Sequence, residues 1–315
     1  KLGIKTSSTR RVILEDAQVP VENLLGEVGK GAYIASNILN LGRFKLGAGA
    51  IGAAKESLKI AIRYALERQQ FGRPIAAFGL IQQKLADMTT RIFAGESAVY
   101  RTAAMMDAVC ETGELMDSMN PPFLRGLDEF ALECSIIKVA CSEILDAVAD
   151  ESLQIHGGYG YTEEFPAARI YRDSRINRIF EGTNEINRLF IPGLLLRRAQ
   201  RGRFPLGPAI AKVSKDLLAM SPLDEVSGDQ LAVAQALLVN AKKLSLFVSG
   251  VAYQKFGEKL GEEQEVVAHL SDMMSDVYLA ESALLRTRKV RPAKANSSIM
   301  TDLTLAFIND AAGRL

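Results

Sequence analysis

The chain is short of soft metal ligands: its 315 residues include three cysteines, Cys110, Cys134 and Cys141, none in CxxC spacing, and two histidines, His156 and His269. That excludes a zinc site of the usual Cys/His spacing and a disulfide framework, and points to a reducing compartment. Excess charge of one sign is missing too. Lys plus Arg number 38 and Asp plus Glu 37, for a formal charge of +1, which argues against nucleic-acid binding by bulk electrostatics. No uninterrupted apolar run reaches the roughly 18 to 20 residues of a membrane span, and no signal peptide opens the chain. There is no P-loop and no GxSxG elbow. What is present builds a core: 48% hydrophobic and 24% charged residues are the composition of a folded chain. The length suits roughly two domains.

One β-signal stands at the start, Arg11-Val12-Ile13-Leu14-Glu15, closed by Val19-Pro20-Val21 and by Gly26, Gly29 and Gly31. One or two strands make no stable sheet alone, so with its Lys1 start the chain reads as the C-terminal part of a longer protein. From Gly31 the period becomes helical. Ile81, Leu85, Met88, Ile92 and Val99 share one face, as do Ile137, Cys141, Ile144 and Val148, predicting long amphipathic helices. The small-residue run at 47–54 predicts a tightly packed helix. Asn120-Pro121-Pro122 is expected to end a helix, and 156–182 to be mostly loop with a short helix at 167–172. A boundary falls at 200–208, with further helices near 230–256, 262–289 and 296–312.

Three constellations carry chemistry. His156-Gly157-Gly158-Tyr159-Gly160-Tyr161 is not GxGxxG and follows a helix, so a Rossmann reading fails; it suits a helix C-terminus, or backbone N–H groups that meet a phosphate-bearing ligand. In Phe180-Glu181-Gly182-Thr183-Asn184, Thr183 or Asn184 would cap a helix, leaving Glu181 just before its N-terminus. Flanked by Ile179, Phe180 and Gly182, Glu181 would be either a solvated carboxylate or a general base in an apolar cleft. The third, Glu67-Arg68-Gln69-Gln70-Phe71-Gly72, closes a long helix with an Arg and a Gly stop. Arg43 sits inside an apolar helix and wants a partner, either an ion pair or a ligand. His156 reads as a loop hydrogen-bonder, His269 as a surface residue and the cysteines as small core hydrophobes.

Taken in order, the linker from Val19-Pro20 to Gly26, the Arg68–Gly72 segment, Gln154-Ile155-His156-Gly157-Gly158, Arg172-Asp173 and Phe180-Glu181-Gly182-Thr183 resemble the acyl-CoA dehydrogenase family. The resemblance covers the chain to about residue 198. It implies a mainly α fold: the end of a middle β-domain and linker at 1–29, with a short β remnant, and an up-down four-helix bundle at 30–200. An additional C-terminal helical domain at 201–315 resembles very-long-chain members in layout.

By that resemblance Glu181 is the catalytic base of an FAD enzyme that dehydrogenates long-chain acyl-CoA to trans-2-enoyl-CoA in fatty-acid β-oxidation. Arg68, Gln70, Phe71, Gln154, Gly157, Gly158, Thr183 and Glu185 match FAD-contacting positions, the first three reaching a neighbouring subunit's cofactor. Arg43 and Gly182 match substrate-binding positions, and no metal is implied. Gln70 stands where many members have Thr or Ser, and Gly42 where some have Thr. The implied partners are acyl-CoA, an electron-transfer flavoprotein, and a second copy in a homodimer or dimer of dimers. The implied location is the bacterial cytoplasm, peripheral to the inner membrane, or the mitochondrial matrix. Alternatives are an acyl-CoA oxidase and a non-catalytic helical assembly module. At 206–220 the apolar face of Ile210, Val213 and Leu217 would pack on the C-terminal helices or lie on a membrane surface.

Overall fold

The computed structural model describes residues 1–111, 122–218, 229–290 and 297–315. Its first helix, α1 (Gly31–Glu67), ends where Arg68 turns extended and a short hairpin begins, β1 (Gln69–Gln70) against β2 (Arg73–Pro74). Phe71 and Gly72 join the strands with φ of 51° and 79°, the doubly left-handed turn that matches hairpin twist. The Gly72 expected to stop the helix therefore turns the hairpin instead. There follow α2 (Gly79–Glu111), α3 (Pro122–Glu129), α4 (Ala131–His156), α5 (Pro166–Ser174) and α6 (Asn184–Gln200). Beyond these lie α7 (Leu206–Leu218), α8 (Gln230–Phe256), α9 (Gln264–Val290) and α10 (Ser297–Arg314).

Contacts fix the direction of the bundle. Asn40 meets Leu127 just ahead of α4, and Tyr64 stacks on His156 at its end, so α1 and α4 run parallel. A Cβ on Gly47 would overlap Ile137, which is why α1 is built of small residues where the two helices cross. Helix α2 runs against α4, with Lys84 on Glu151 and Gly95 facing Ile144. Helix α6 does the same, with Arg188 on Glu143 and Arg198 on Glu133. The predicted faces lie inside: Met88, Ile92 and Val99 on α2, and Ile137, Cys141, Ile144 and Val148 on α4, are buried.

The later helices pack on the outer side of this bundle. Arg101 and Glu96 of α2 pair with Glu281 and Arg286 of α9, and Asp272 of α9 holds Arg188 of α6. One hydrophobic cluster runs from Ala50 to Ala311. Helix α7 packs on α8: Val213 is buried, and Ile210 fills the space beside Gly250. The packing expectation for this face thus describes Ile210 and Val213, while the Leu217 side chain lies outside the described residues, as do Cys110's side chain and the Asn120-Pro121 break. Residues Gln230–Glu262, with a mean hydropathy of 1.4 in their most apolar window, are long and apolar enough to cross a membrane. A search for uninterrupted apolar runs passes over them because Lys242 and Lys243 stand mid-helix, Lys242 pairing with Glu281.

Residues 11–15 form no strand. Val12, Ile13 and Leu14 are all exposed, because a strand needs neighbours to accept its backbone bonds and no sheet lies beside it. The only strands among the described residues are the two of the hairpin.

Candidate active site

The turn from Ile179 to Thr183 links a short 3-10 helix to α6. Glu181 and Gly182 both take positive φ, 58° and 78°. For glutamate that conformation costs roughly 1–2 kcal/mol, so other groups must hold it. Thr183 caps α6, its hydroxyl accepting the Ile186 N–H at 3.3 Å. The Asn187 carboxamide, from inside the same helix, donates back to the carbonyls of Gly182 at 2.8 Å and Thr183 at 3.0 Å. From α4 the Lys138 ammonium donates to the Gly182 carbonyl at 2.7 Å and the Asn184 side-chain oxygen at 2.6 Å. From α1 the Arg43 guanidinium reaches the Glu181 carbonyl at 3.4 Å.

Arg43 is buried without an ion pair among the described residues. It donates to Asn40 at 3.0 Å and lies 5.4 Å from the centre of the Phe190 ring. Burial lowers its pKa, against the pull of Cys134 and Glu181. Lys138 is fully buried, and its pKa is pushed down to about 8, chiefly by that burial.

The Glu181 carboxylate rests against α1 at Gly42, where a Cβ would stand 2.5 Å from Oε2. It makes no ion pair among the described residues and lines a cleft of about 660 Å³ with Gly42, Leu46, Ala50, Leu145 and Phe180, with Lys45, Asp173 and Asn177 also on its wall. A carboxylate that faces open, largely apolar space and is paired with no cation is placed to take a proton from a ligand. Its own backbone N–H donates to nothing among the described residues, leaving one donor beside the carboxylate.

The second group lies at the far end of α1. Arg68 stands over the Tyr159 ring at 5.4 Å, and Phe71 at the hairpin tip is 90% exposed. Gln70, Gln154, Gly157 and Gly158 are exposed around them. Gly157 ends α4 with φ 59°, and no atom would touch a Cβ at Gly158, so a ligand can approach the backbone there. His156 is buried within α4, bonded to the Ser152 carbonyl at 2.7 Å and stacked on Tyr64; it supports the loop. From Arg43 to Arg68 is 25 residues of helix, roughly 37 Å at 1.5 Å per residue. One chain therefore brings Arg43, Glu181, Gly182, Thr183 and Glu185 together at one end, and Arg68, Gln70, Phe71, Gln154, Gly157 and Gly158 at the other. The Glu185 carboxylate is exposed in the first turn of α6, and its own backbone N–H and the Thr183 hydroxyl hold it below its usual pKa.

The family model for the acyl-CoA dehydrogenase C-terminal domain matches residues 29–193, just over half the chain, and a second model of the same description matches 240–315. The chain belongs to the acyl-CoA dehydrogenase family. The "Probable acyl-CoA dehydrogenase" of Bacillus subtilis (strain 168) is 46% identical over 297 residues, which is 93% of this chain and 50% of that protein. The crystal structure of an acyl-CoA dehydrogenase complexed with FAD from Bacillus anthracis superposes with a TM-score of 0.95 and 47% identity, covering 100% of this chain and 54% of that one. The rat mitochondrial short-chain specific acyl-CoA dehydrogenase is 42% identical over 197 residues, 62% of this chain and 43% of that protein. The chain spans about half the length of the relatives it matches.

Sequence reasoning missed Lys138, Asn184, Asn187, Glu143 and Arg188 as supports of the turn. A usable signal exists for Lys138, a lone charge in the apolar run Ile136-Ile137-Lys138-Val139-Ala140, the same signal that singled out Arg43. The asparagines offer none, because their role depends on which carbonyls the turn presents.

Proposed function

We propose that this chain is the base-bearing part of an FAD-dependent acyl-CoA dehydrogenase that converts acyl-CoA to trans-2-enoyl-CoA in fatty-acid oxidation. The observation that carries the reading is the Glu181 carboxylate, free of ion pairs among the described residues and set in a cleft against Gly42. Glu181 takes the α-proton of the acyl chain, and its backbone N–H donates to the thioester oxygen as negative charge gathers there. The Arg43 guanidinium, which reaches the Glu181 carbonyl, adds positive potential behind the turn. Bound FAD supplies the acceptor for the β-hydrogen, which leaves as hydride.

The residues present suit that cofactor. Arg68 offers a cation, Gln70 and Gln154 amides, Phe71 an exposed ring, and Gly158 an open backbone, a donor set matched to an anionic, aromatic dinucleotide. Because they lie roughly 37 Å of helix from Glu181, they serve the cofactor of a second copy, and the working enzyme is a homodimer or dimer of dimers. An electron-transfer flavoprotein is the proposed oxidant of the reduced cofactor. The very-long-chain reading rests on the layout of the C-terminal helices alone: the Bacillus subtilis relative shares them, while the matches to the rat short-chain and the mouse very-long-chain enzymes both cover only about three fifths of the chain.

Glu181→Gln in the full-length enzyme tests the reading. Gln keeps the side-chain shape and the N–H but cannot take a proton, so the variant should bind acyl-CoA and flavin yet lose roughly 10²- to 10⁴-fold in dye reduction. A near-wild-type rate would remove Glu181 as the base.

A further inference from the structure

Lys138 is a buried cation whose partners are neutral oxygens. Among the described residues its ammonium makes no ion pair; it donates only to the Gly182 carbonyl at 2.7 Å and the Asn184 side chain at 2.6 Å. The charged groups that face it are Glu185 on α6, Arg43 on α1, Glu143 on its own helix, and Glu181 on the turn. Burying an ammonium without a contacting carboxylate is costly, and a methionine of similar length would fill the same space at no such cost. What the lysine does that methionine cannot is hold the two residues that bracket Thr183, directly after Glu181.

That hold matters because of the backbone it stabilises. Glu181 is kept in a left-handed conformation, which persists only where its surroundings over-determine it. Among the described residues three side chains bond the turn's carbonyls, and of these Asn187 sits on α6 and moves with the turn. Lys138 and Arg43 are the two that reach those carbonyls from other helices, and the Arg43 bond is long at 3.4 Å. The Asn184 carboxamide is also fastened to α4, donating to Ser142 at 3.0 Å and Glu143 at 2.9 Å. Helix α4 thus grips the turn chiefly through Lys138 and its acceptor.

We propose that Lys138 is the positioning residue of the base: by holding Gly182 and Asn184 it sets where the Glu181 carboxylate stands in the cleft. The inference rests on the reading of Glu181 as base. It predicts that losing the ammonium leaves acyl-CoA binding in place and slows proton removal.

The test compares Lys138→Met with Glu181→Gln and wild type in the full-length enzyme carrying FAD, with rates normalised to bound flavin. Lys138→Met should lose roughly 10- to 100-fold in kcat, the scale of a 1 Å misplacement, with KM changed by less than about threefold. The α-deuterium isotope effect on kcat should rise, because proton transfer becomes the slow step. A kcat per flavin equal to wild type, or a loss confined to flavin content, overturns the proposal while leaving Glu181 as base. A Glu181→Gln variant that keeps its rate overturns the functional reading and this inference together. If Lys138→Met fails to fold, Lys138→Gln, which keeps a polar side chain but removes the ammonium and its reach, is read the same way: a loss of kcat at unchanged KM supports the proposal, and an unchanged kcat overturns it.

Discussion

Replacing Arg188 by Met would show how the helix bearing the turn is anchored. The guanidinium lies between three helices. From α6 it forks onto Glu143 of α4, at 2.8 and 2.9 Å, and donates through Nε to Asp272 of α9 at 2.7 Å. Side-chain exposure is 18% for Arg188, 33% for Glu143 and 48% for Asp272. The Asp272 bond is half in water and stabilises by less than about 1 kcal/mol. The bidentate pair is partly buried, between the surface range and the roughly 3–5 kcal/mol lost when a fully buried pair is broken, so Arg188→Met should cost about 2–3 kcal/mol in all. Most of that loss comes from leaving Glu143 hydrogen-bonded to Asn184 alone among the described residues, with Arg178 and Lys138 as the cations nearby. In a double-mutant cycle with Glu143→Gln, the coupling should therefore be about 1–2 kcal/mol. The pH dependence has a definite sign. Burial pushes the Glu143 carboxyl up, but the Arg188 bonds and charge and the Asn184 amide bring it below its ordinary value of 4.5. A carboxylate whose folded pKa is depressed stabilises fully above its unfolded value and loses that contribution as pH falls through the folded one. Guanidinium unfolding midpoints should thus show the wild-type advantage over Arg188→Met at pH 7 and show it shrinking below about pH 4.5. A cost under about 0.5 kcal/mol at pH 7, or a gap that widens on acidification, would refute the reasoning.

Gly182→Ala places a Cβ in a left-handed residue, 3.1 Å from the Asn187 amide nitrogen, and should cost about 1–2 kcal/mol together with much of the dye-reduction rate. Phe71→Ala should leave the stability of the chain within about 0.5 kcal/mol, because the residue is 90% exposed, yet lower the flavin retained by the full-length enzyme after dialysis. Ile210→Asp puts a charge beside Gly250 where α7 meets α8; limited proteolysis should then cut near α7 sooner than in wild type, whereas equal cleavage would mean that the contact does not hold α7 in place.

Sequence by itself determined the periodic parts: the buried faces of α2 and α4, the small-residue crossing on α1, a cap at Thr183 or Asn184, and Arg43 as a charge in need of a partner. Each depends on neighbours within a few residues, where the helical repeat or a cap geometry decides the outcome. Tertiary structure decided the rest. The strand signal at 11–15 stayed unpaired because strand bonds need a second strand, and Gly72 turned a hairpin because Gln69 and Gln70 found Pro74 and Arg73 opposite them. Lys138 carries the same lone-charge signal as Arg43, but its role depends on Gly182, 44 positions away, and Arg43 meets Glu181 across 138. No local period encodes which carbonyls a left-handed turn will present to a helix that far along the chain. That pairing exists only once α1, α4 and α6 have packed and excluded the water that would otherwise satisfy those carbonyls.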